Sequence, residues 1–145
     1  MVTDYFVNGK IYFDLRNYKY ETVFHMAGKK NSASSIKALV QKACFQEELL
    51  KRDFKGDTPL HSAAKAGSID VLSFFLTACT PRFMELENDF GMTPLVAVQE
   101  KISMIRDKVS DKEIGSQEKD KLYRKMEKLL AVQVFIQEFG DFITQ

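Results

Sequence analysis

The residues of this chain best suited to chemistry are two histidines and two cysteines. A histidine and a cysteine brought together can form a nucleophilic dyad, and clusters of either can bind zinc. His25 and His61 stand 36 residues apart, and neither Cys44 nor Cys79 lies beside a histidine or in a Cys-x-x-Cys pair. No phosphate-loop, dinucleotide or zinc-protease motif occurs. We therefore expect no catalytic centre, no cofactor and no metal site, with two reduced thiols in a cytoplasmic-type reducing environment.

The charge balance limits which partners the chain can have. Its 145 residues carry 21 Lys plus Arg against 20 Asp plus Glu, a net charge of +1. That balance excludes an overall basic footprint for nucleic acid or acidic membranes, although a local patch remains compatible with it. The densest apolar run, residues 71–76, is far shorter than a membrane span, and the N-terminus lacks a signal-peptide pattern. We expect one domain without a membrane segment, monomeric on its own.

Three segments of the chain repeat at intervals of 35 to 36 residues. They are residues 17–29, 53–65 and 88–100. When the segments are aligned, several residue types recur in one column each: Thr22, Thr58 and Thr93; His25 and His61; Ala27 and Ala63. A period of this length is typical of stacked supersecondary units.

The middle segment carries the most specific pattern. Residues 53–67 read D-x-x-G-x-T-P-L-H-x-A-A-x-x-G, and at these residues the chain resembles the ankyrin repeat. The third segment keeps Gly91 and the Thr-Pro-Leu triplet after it but has Val96 in place of the histidine. The first keeps its threonine, histidine and alanine but has Tyr20 in place of the glycine. The resemblance extends over residues 17–105 and implies a mostly α helical solenoid, in which the histidines hydrogen-bond adjoining units.

Local physical chemistry agrees with that resemblance. Gly56 and Gly91 stand where a tight turn requires a positive φ. Thr58 and Thr93 each precede a proline, the arrangement of an N-cap followed by proline in the first helical position. Apolar residues at helical spacing then predict a second helix in each of the first two units. Each unit is therefore expected to be a turn, a helix, a short loop and a helix.

The N-terminal segment departs from the repeat. Two β-rich runs, residues 5–7 and 11–13, flank Asn8 and Gly9. An Asn-Gly pair between such runs predicts a β-hairpin, which would cover the apolar face of the first repeat. A loose leader packed over that repeat is the alternative.

The C-terminal segment also departs from the repeat. Apolar residues from Leu95 to Val109 recur every three or four positions, which predicts a first helix near sixteen residues long. A polar connection follows, and a second helix is expected to run until Gly140. We interpret the pair as an antiparallel helical hairpin that caps the stack. The charged face of the second helix is interpreted as solvated; it comprises Lys119, Asp120, Lys121, Arg124, Lys125, Glu127 and Lys128.

These observations predict a mostly α, ankyrin-like helical solenoid with a possible N-terminal β-hairpin and a long C-terminal helical-hairpin cap. We divide the single domain 1–145 into an N-terminal hairpin or cap (1–16), repeat 1 (17–52), repeat 2 (53–87), the first helix of a degenerate repeat 3 (88–109), and a linker with the C-terminal capping helix (110–145).

The resemblance implies a protein-binding surface made of the turn tips and the first-helix face. The positions that correspond to it are Tyr18, Lys29, Lys30, Phe54, Lys55, Asp57, Lys65, Asp89, Phe90, Met92, Glu100 and Lys101. Each tip carries one aromatic ring, at Tyr18, Phe54 and Phe90. Such rings are either exposed anchors, which are common at binding hot spots, or packed against the neighbouring turn.

The leading hypothesis is a non-catalytic protein–protein interaction module acting as an inhibitor or adaptor. A finer version is a pathogen-encoded effector or inhibitor that acts on host proteins in the host cytosol; it rests on the short stack and the degenerate end repeats. The alternative is nucleic-acid binding by a lysine strip of Lys29, Lys30, Lys55, Lys65 and Lys101. Acidic residues interspersed among those lysines disfavour it. A small enzyme whose site the sequence does not reveal is a further alternative.

Overall fold

The computed structural model describes residues 4–7, 10–13, 16–40, 45–77 and 81–144. Its elements are strands β1 (Asp4–Val7) and β2 (Lys10–Phe13), helices α1 (Val23–Lys30), α2 (Ala33–Val40), α3 (Phe45–Glu48), α4 (Pro59–Ala66) and α5 (Ile69–Leu76), a 3-10 turn (Pro81–Glu85), and helices α6 (Pro94–Val109) and α7 (Ser116–Thr144). The chain is mainly helical, as predicted.

Two short strands lie at the position of the predicted hairpin. Strands β1 and β2 pair antiparallel, with Val7 opposite Lys10. Asn8 and Gly9, the predicted turn, lie outside the described residues. The covering of the first repeat by this segment stays a prediction.

The first helix of each unit begins after a threonine. The side-chain oxygens of Thr22, Thr58 and Thr93 accept the backbone N–H of the residue three positions on. This N-cap satisfies one of the N–H groups that a helix start leaves without a partner. Proline occupies the first turn of α4 and α6, where its missing N–H costs no helical hydrogen bond. The predicted caps are confirmed.

The units stack through their helices. Helix α4 packs between α1 and α6, and α2 packs against α5. The α1–α4 approach is very close, because a Cβ built on Gly28 would lie 2.9 Å from the backbone nitrogen of Ala63. The large buried side chains between the helices include Phe24, Ile36, Leu60, Leu72 and Phe75. The stack therefore has one continuous core.

The third unit differs from the first two. Helix α6 has 16 residues, which confirms the predicted length, and α7 has 29. Helix α7 packs against α6 and also contacts α4 and α5. Its side chains Leu129, Val132 and Ile136 are buried in the common core. The prediction that this helix ends at Gly140 is wrong, since it continues to Thr144.

Candidate protein-binding groove

The three turns of the stack have the same internal hydrogen bonds. In each turn, one side-chain oxygen accepts the backbone N–H groups two and four residues on, at 2.9 to 3.0 Å; the acceptors are Asn17, Asp53 and Asn88. A side chain that mimics a backbone acceptor in this way stabilises a tight turn. All three tips are therefore held in one conformation.

Tyr20 takes the place of the turn glycine in the first unit. Its φ is 62°, close to the 77° of Gly56 and the 73° of Gly91. A left-handed conformation is unfavourable for a side chain with a Cβ. The guanidinium of Arg16 lies 4.0 Å from the Tyr20 ring centroid and donates to the Tyr20 carbonyl oxygen at 2.8 Å. These two contacts offset part of the cost of the unusual φ.

Neighbouring turns are also joined to each other. The backbone N–H of Phe54 donates to the Lys19 carbonyl oxygen at 3.1 Å, and that of Asp89 donates to Lys55 at 3.0 Å. Arg52 adds a bond across the second junction, from its guanidinium to the Glu87 carbonyl oxygen at 2.5 Å. The tips consequently form a rigid column rather than three independent loops.

The aromatic residue of each tip projects into solvent. Tyr18 is 90% exposed, Phe54 is 58% exposed and Phe90 is 67% exposed. The rings are therefore exposed, as one of the two interpretations expected, and their role as binding anchors stays a prediction. We call these three residues the aromatic column.

The two histidines join consecutive units. Nε2 of His25 lies 2.8 Å from the carbonyl oxygen of Asp57, and Nε2 of His61 lies 2.8 Å from that of Met92. In both rings, Nδ1 accepts the backbone N–H of the threonine cap at 3.2 Å. The structural role predicted for both histidines is confirmed.

These bonds leave no free lone pair on either ring. Because Nδ1 accepts an N–H, Nε2 must carry the proton and donate it to the carbonyl oxygen. Burial is the largest cause that lowers the pKa of His25 and of His61 below the ordinary value of 6.5. Both rings are therefore neutral links, and neither can act as a general base.

A groove of about 450 Å³ runs beside the aromatic column along the first helices. Phe54 lies on its wall, together with three carboxylates, Glu21, Asp53 and Asp57. Its six lysines are Lys19, Lys29, Lys55, Lys65, Lys101 and Lys125. We call this feature the lysine groove. Lysines outnumber carboxylates two to one there, although the whole chain is almost neutral.

The structure brings most of the predicted binding residues together. Lys29, Phe54, Lys55, Asp57, Lys65 and Lys101 line the lysine groove. An adjoining depression of about 360 Å³ is lined by Phe90, Met92 and Glu100 and shares Lys55, Lys65 and Lys101 with the groove. Tyr18, Lys30 and Asp89 line neither.

Asp57 was expected to be an exposed residue of the second tip, but it is buried. It is only 2% exposed, because its carboxylate accepts from Lys65 at 2.5 Å and from the Asn88 amide at 2.9 Å. Burial alone would raise the pKa of Asp57, but the bonds from Lys65 and Asn88 lower it below 3.8. Asp57 thus fastens the second turn to the third and fixes Lys65 in the groove wall.

Met104 and Lys125 are among the lining residues that the sequence reasoning did not include. Met104 lies one helical turn after Lys101, so the spacing along α6 could have identified it. Lys125 belongs to α7 and was assigned to a solvated face, yet it lines the lysine groove. No local signal marks it, because its position depends on how α7 lies against the stack.

Lys101 occupies the most unusual environment in the groove. Its Nζ donates to the carbonyl oxygen of Lys65 at 2.9 Å. Burial, followed by the neighbouring ammonium groups of Lys125 and Lys65, lowers the pKa of Lys101 to about 8. A half-buried cation surrounded by cations is an electrostatic cost to the fold.

The turn, the threonine-capped helix and the histidine link to the next unit define a helical repeat stack. The sequence model of the family described as "Ankyrin repeats (3 copies)" matches residues 2–85, more than half of the chain. The chain belongs to this family, whose members are generally non-catalytic protein–protein interaction modules. The third unit lies beyond the matched residues, although its turn and cap have the same geometry.

Two curated relatives extend the comparison. The chain is 32% identical over 79 residues to the rat and the mouse proteins named "NF-kappa-B inhibitor alpha". The match covers 54% of this chain and 24% of each relative. The chain therefore spans about a quarter of the length of the relatives it matches.

Two further findings concern metal binding and membrane spans, neither of which the sequence predicts. Among the described residues, no group of three His, Cys, Asp or Glu side chains could hold a metal ion. No helix in the described ranges is long and apolar enough to cross a membrane. Cys44 and Cys79 lie outside the described residues, so the predicted free thiols stay a prediction.

Proposed function

We propose that this protein is an inhibitor that binds another protein through the aromatic column and the lysine groove. The observation that carries the proposal is the aromatic column. Its three large rings are exposed on turns that are tied to one another. Tyr18 and Phe54 hold equivalent positions, and Phe90 stands one residue further along its turn. An inhibitor of this kind acts by covering a surface that its partner needs.

The energetics of binding favour such a column. Aromatic side chains surrounded by polar groups are typical hot spots, because the rim excludes water from the contact. Since the turns are already fixed by hydrogen bonds, little conformational freedom is lost on binding. A three-unit stack offers an interface of roughly 1,200 Å² in total, the lower end of the standard range.

The relatives suggest which partner to test first. Both are named inhibitors of NF-kappa-B, and the match over 79 residues extends across more than half of this chain. We propose NF-kappa-B as the first candidate partner. The aromatic column would supply the anchors and the lysine groove the polar contacts.

The test compares a tip variant with a matched aromatic control. Phe54→Ala combined with Phe90→Ala removes two anchors without touching the core, and Tyr123→Ala removes a ring that is 50% exposed on α7. In calorimetric titrations against NF-kappa-B, we expect the tip variant to lose about thirtyfold in affinity. The control should bind like the unmodified protein.

Melting curves must accompany these titrations to show that each variant is folded. A folded tip variant with unchanged affinity would refute the role of the aromatic column. Absence of binding by the unmodified protein would refute the choice of NF-kappa-B.

A further inference from the structure

Carboxylates pair with some lysines of the lysine groove but not with others. Lys29 pairs with Glu21, and Lys65 pairs with Asp57. In the described part of the chain, no carboxylate lies within ion-pair distance of Lys101 or Lys125. Lys19 and Lys55 also lack an ion pair among the described residues, but each lies near the exposed ring of its own tip. Lys101 and Lys125 form the uncompensated pair where α6 meets α7.

This concentration of positive charge lowers the stability of the fold. Lys101 is half-buried and lines the same groove as Lys125, whose ammonium disfavours the charge of Lys101. The hydrogen bond from Lys101 to the Lys65 carbonyl oxygen could equally be made by a neutral donor. An anion placed between the two lysines would supply the missing compensation.

We propose that this end of the lysine groove binds an acidic segment of the partner protein, with carboxylates paired to Lys101 and Lys125. The inference rests on the proposed function and gives the partner its chemistry. A carboxylate seated there would bridge α6 and α7, the helices that carry the two lysines.

The surroundings favour a protein segment over nucleic acid. Carboxylates line the same surface as the two lysines: Asp53 lines the groove, and Glu100 lines the adjoining depression that Lys101 shares. A phosphate backbone carries charge at every nucleotide and would meet those carboxylates, whereas a peptide can place its acidic residues selectively. The depression also contains Phe90 and Met104, which can receive an apolar side chain next to the acidic ones.

The test uses labelled decaglutamate as the probe and fluorescence anisotropy as the measurement. Lys101→Met combined with Lys125→Met keeps the aliphatic stems and removes both charges. Lys108→Met combined with Lys112→Met removes the same charge from exposed positions outside the groove. We expect the groove variant to weaken binding at least about tenfold and the control less than about threefold.

A second pair of variants avoids the half-buried position. Lys125 and Lys121 are both exposed on α7, but only Lys125 lines the groove. Lys125→Glu should abolish decaglutamate binding, while Lys121→Glu should retain it. The melting temperature of the Lys101→Met, Lys125→Met variant should stay close to that of the unmodified protein, because the removed repulsion offsets the lost hydrogen bond to the Lys65 carbonyl oxygen.

Two results would overturn the inference. Equal losses in groove and control variants would mean that decaglutamate responds to overall charge alone. Tighter binding of decathymidylate than of decaglutamate would assign the groove to nucleic acid. Neither result would affect the aromatic column, because the titrations with the Phe54 and Phe90 variants test the proposed inhibitor function separately.

Discussion

The second and third turns have the same backbone but different neighbours. A Cβ on Gly56 would lie 2.4 Å from the Asp89 carboxylate, whereas one on Gly91 would meet nothing within 4 Å. His61 reaches the turn of the following unit, but Val96, at the corresponding position of the third unit, is 43% exposed. The repeat pattern therefore contains residues that fold a unit and residues that join it to the next. The third unit keeps the residues that fold it, such as Gly91 and Thr93, but lacks the histidine that would join it to a further unit.

The largest effect should come from removing the helix that closes the third unit. Deletion of residues 116–145 would expose the side of the core that Leu129, Val132 and Ile136 now cover. A repeat stack requires a terminal element with a polar outer face. We expect aggregation or loss of cooperative unfolding, measured by light scattering and urea titration. A monomeric product with a sharp transition would show that α7 is a dispensable appendage.

The two turn glycines should differ in their tolerance of alanine. Both have a positive φ, so each substitution carries strain of about 1–2 kcal/mol. Gly56→Ala adds a clash with Asp89 and should be clearly the more destabilising, whereas Gly91→Ala should show the strain alone. Chemical denaturation of both variants measures the difference. Equal losses would mean that the second and third turns are not packed as described.

The histidine position offers a matched test of the links between units. His61→Ala removes the ring that bonds the Met92 carbonyl oxygen and the Thr58 backbone N–H, at an expected cost of about 1–3 kcal/mol. Val96→Ala truncates a partly exposed side chain and should cost less than about 1 kcal/mol. Unfolding free energies of the two variants provide the comparison. A neutral His61→Ala would contradict the linking role.

Acid should weaken the first two units through the same histidines. Burial lowers the pKa of both rings below 6.5, so the unfolded chain binds more protons than the folded one just below that pH. Stability is then complete above about pH 6.5 and falls as the pH decreases through the lowered pKa values. Glu21 and Asp57 also have lowered pKa values, but they titrate below about 4.5.

Urea midpoints measured between pH 7.5 and 5 therefore isolate the histidines. We expect the midpoint to fall with pH in the unmodified protein, and to fall about half as steeply in His61→Gln, which keeps one of the two rings. An unchanged slope in that variant would remove His61 from the acid response.

The repeated turn, cap and histidine could be predicted from the sequence because each depends on residues within a few positions of one another. The length of α6 was also predictable, from its apolar spacing. The end of α7 was not, because a glycine inside a helix costs only about 1 kcal/mol and does not by itself end the helix. The burial of Asp57 depends in part on Asn88, 31 residues away. The groove position of Lys125 places it with Lys101 and Lys65, which are 24 and 60 residues away. Such placements follow from packing, which local patterns do not encode.

The contact between Gly28 and Ala63 has a consequence at the opposite side of the stack. The backbone of α1 at Gly28 lies so close to the backbone of α4 at Ala63 that no Cβ fits between them. The glycine at position 28 therefore sets the distance between the first two units. The turns are rigidly attached to those helices, so the same contact fixes the spacing between Tyr18 and Phe54. Residues buried inside the fold thereby set the distance between two rings on its surface.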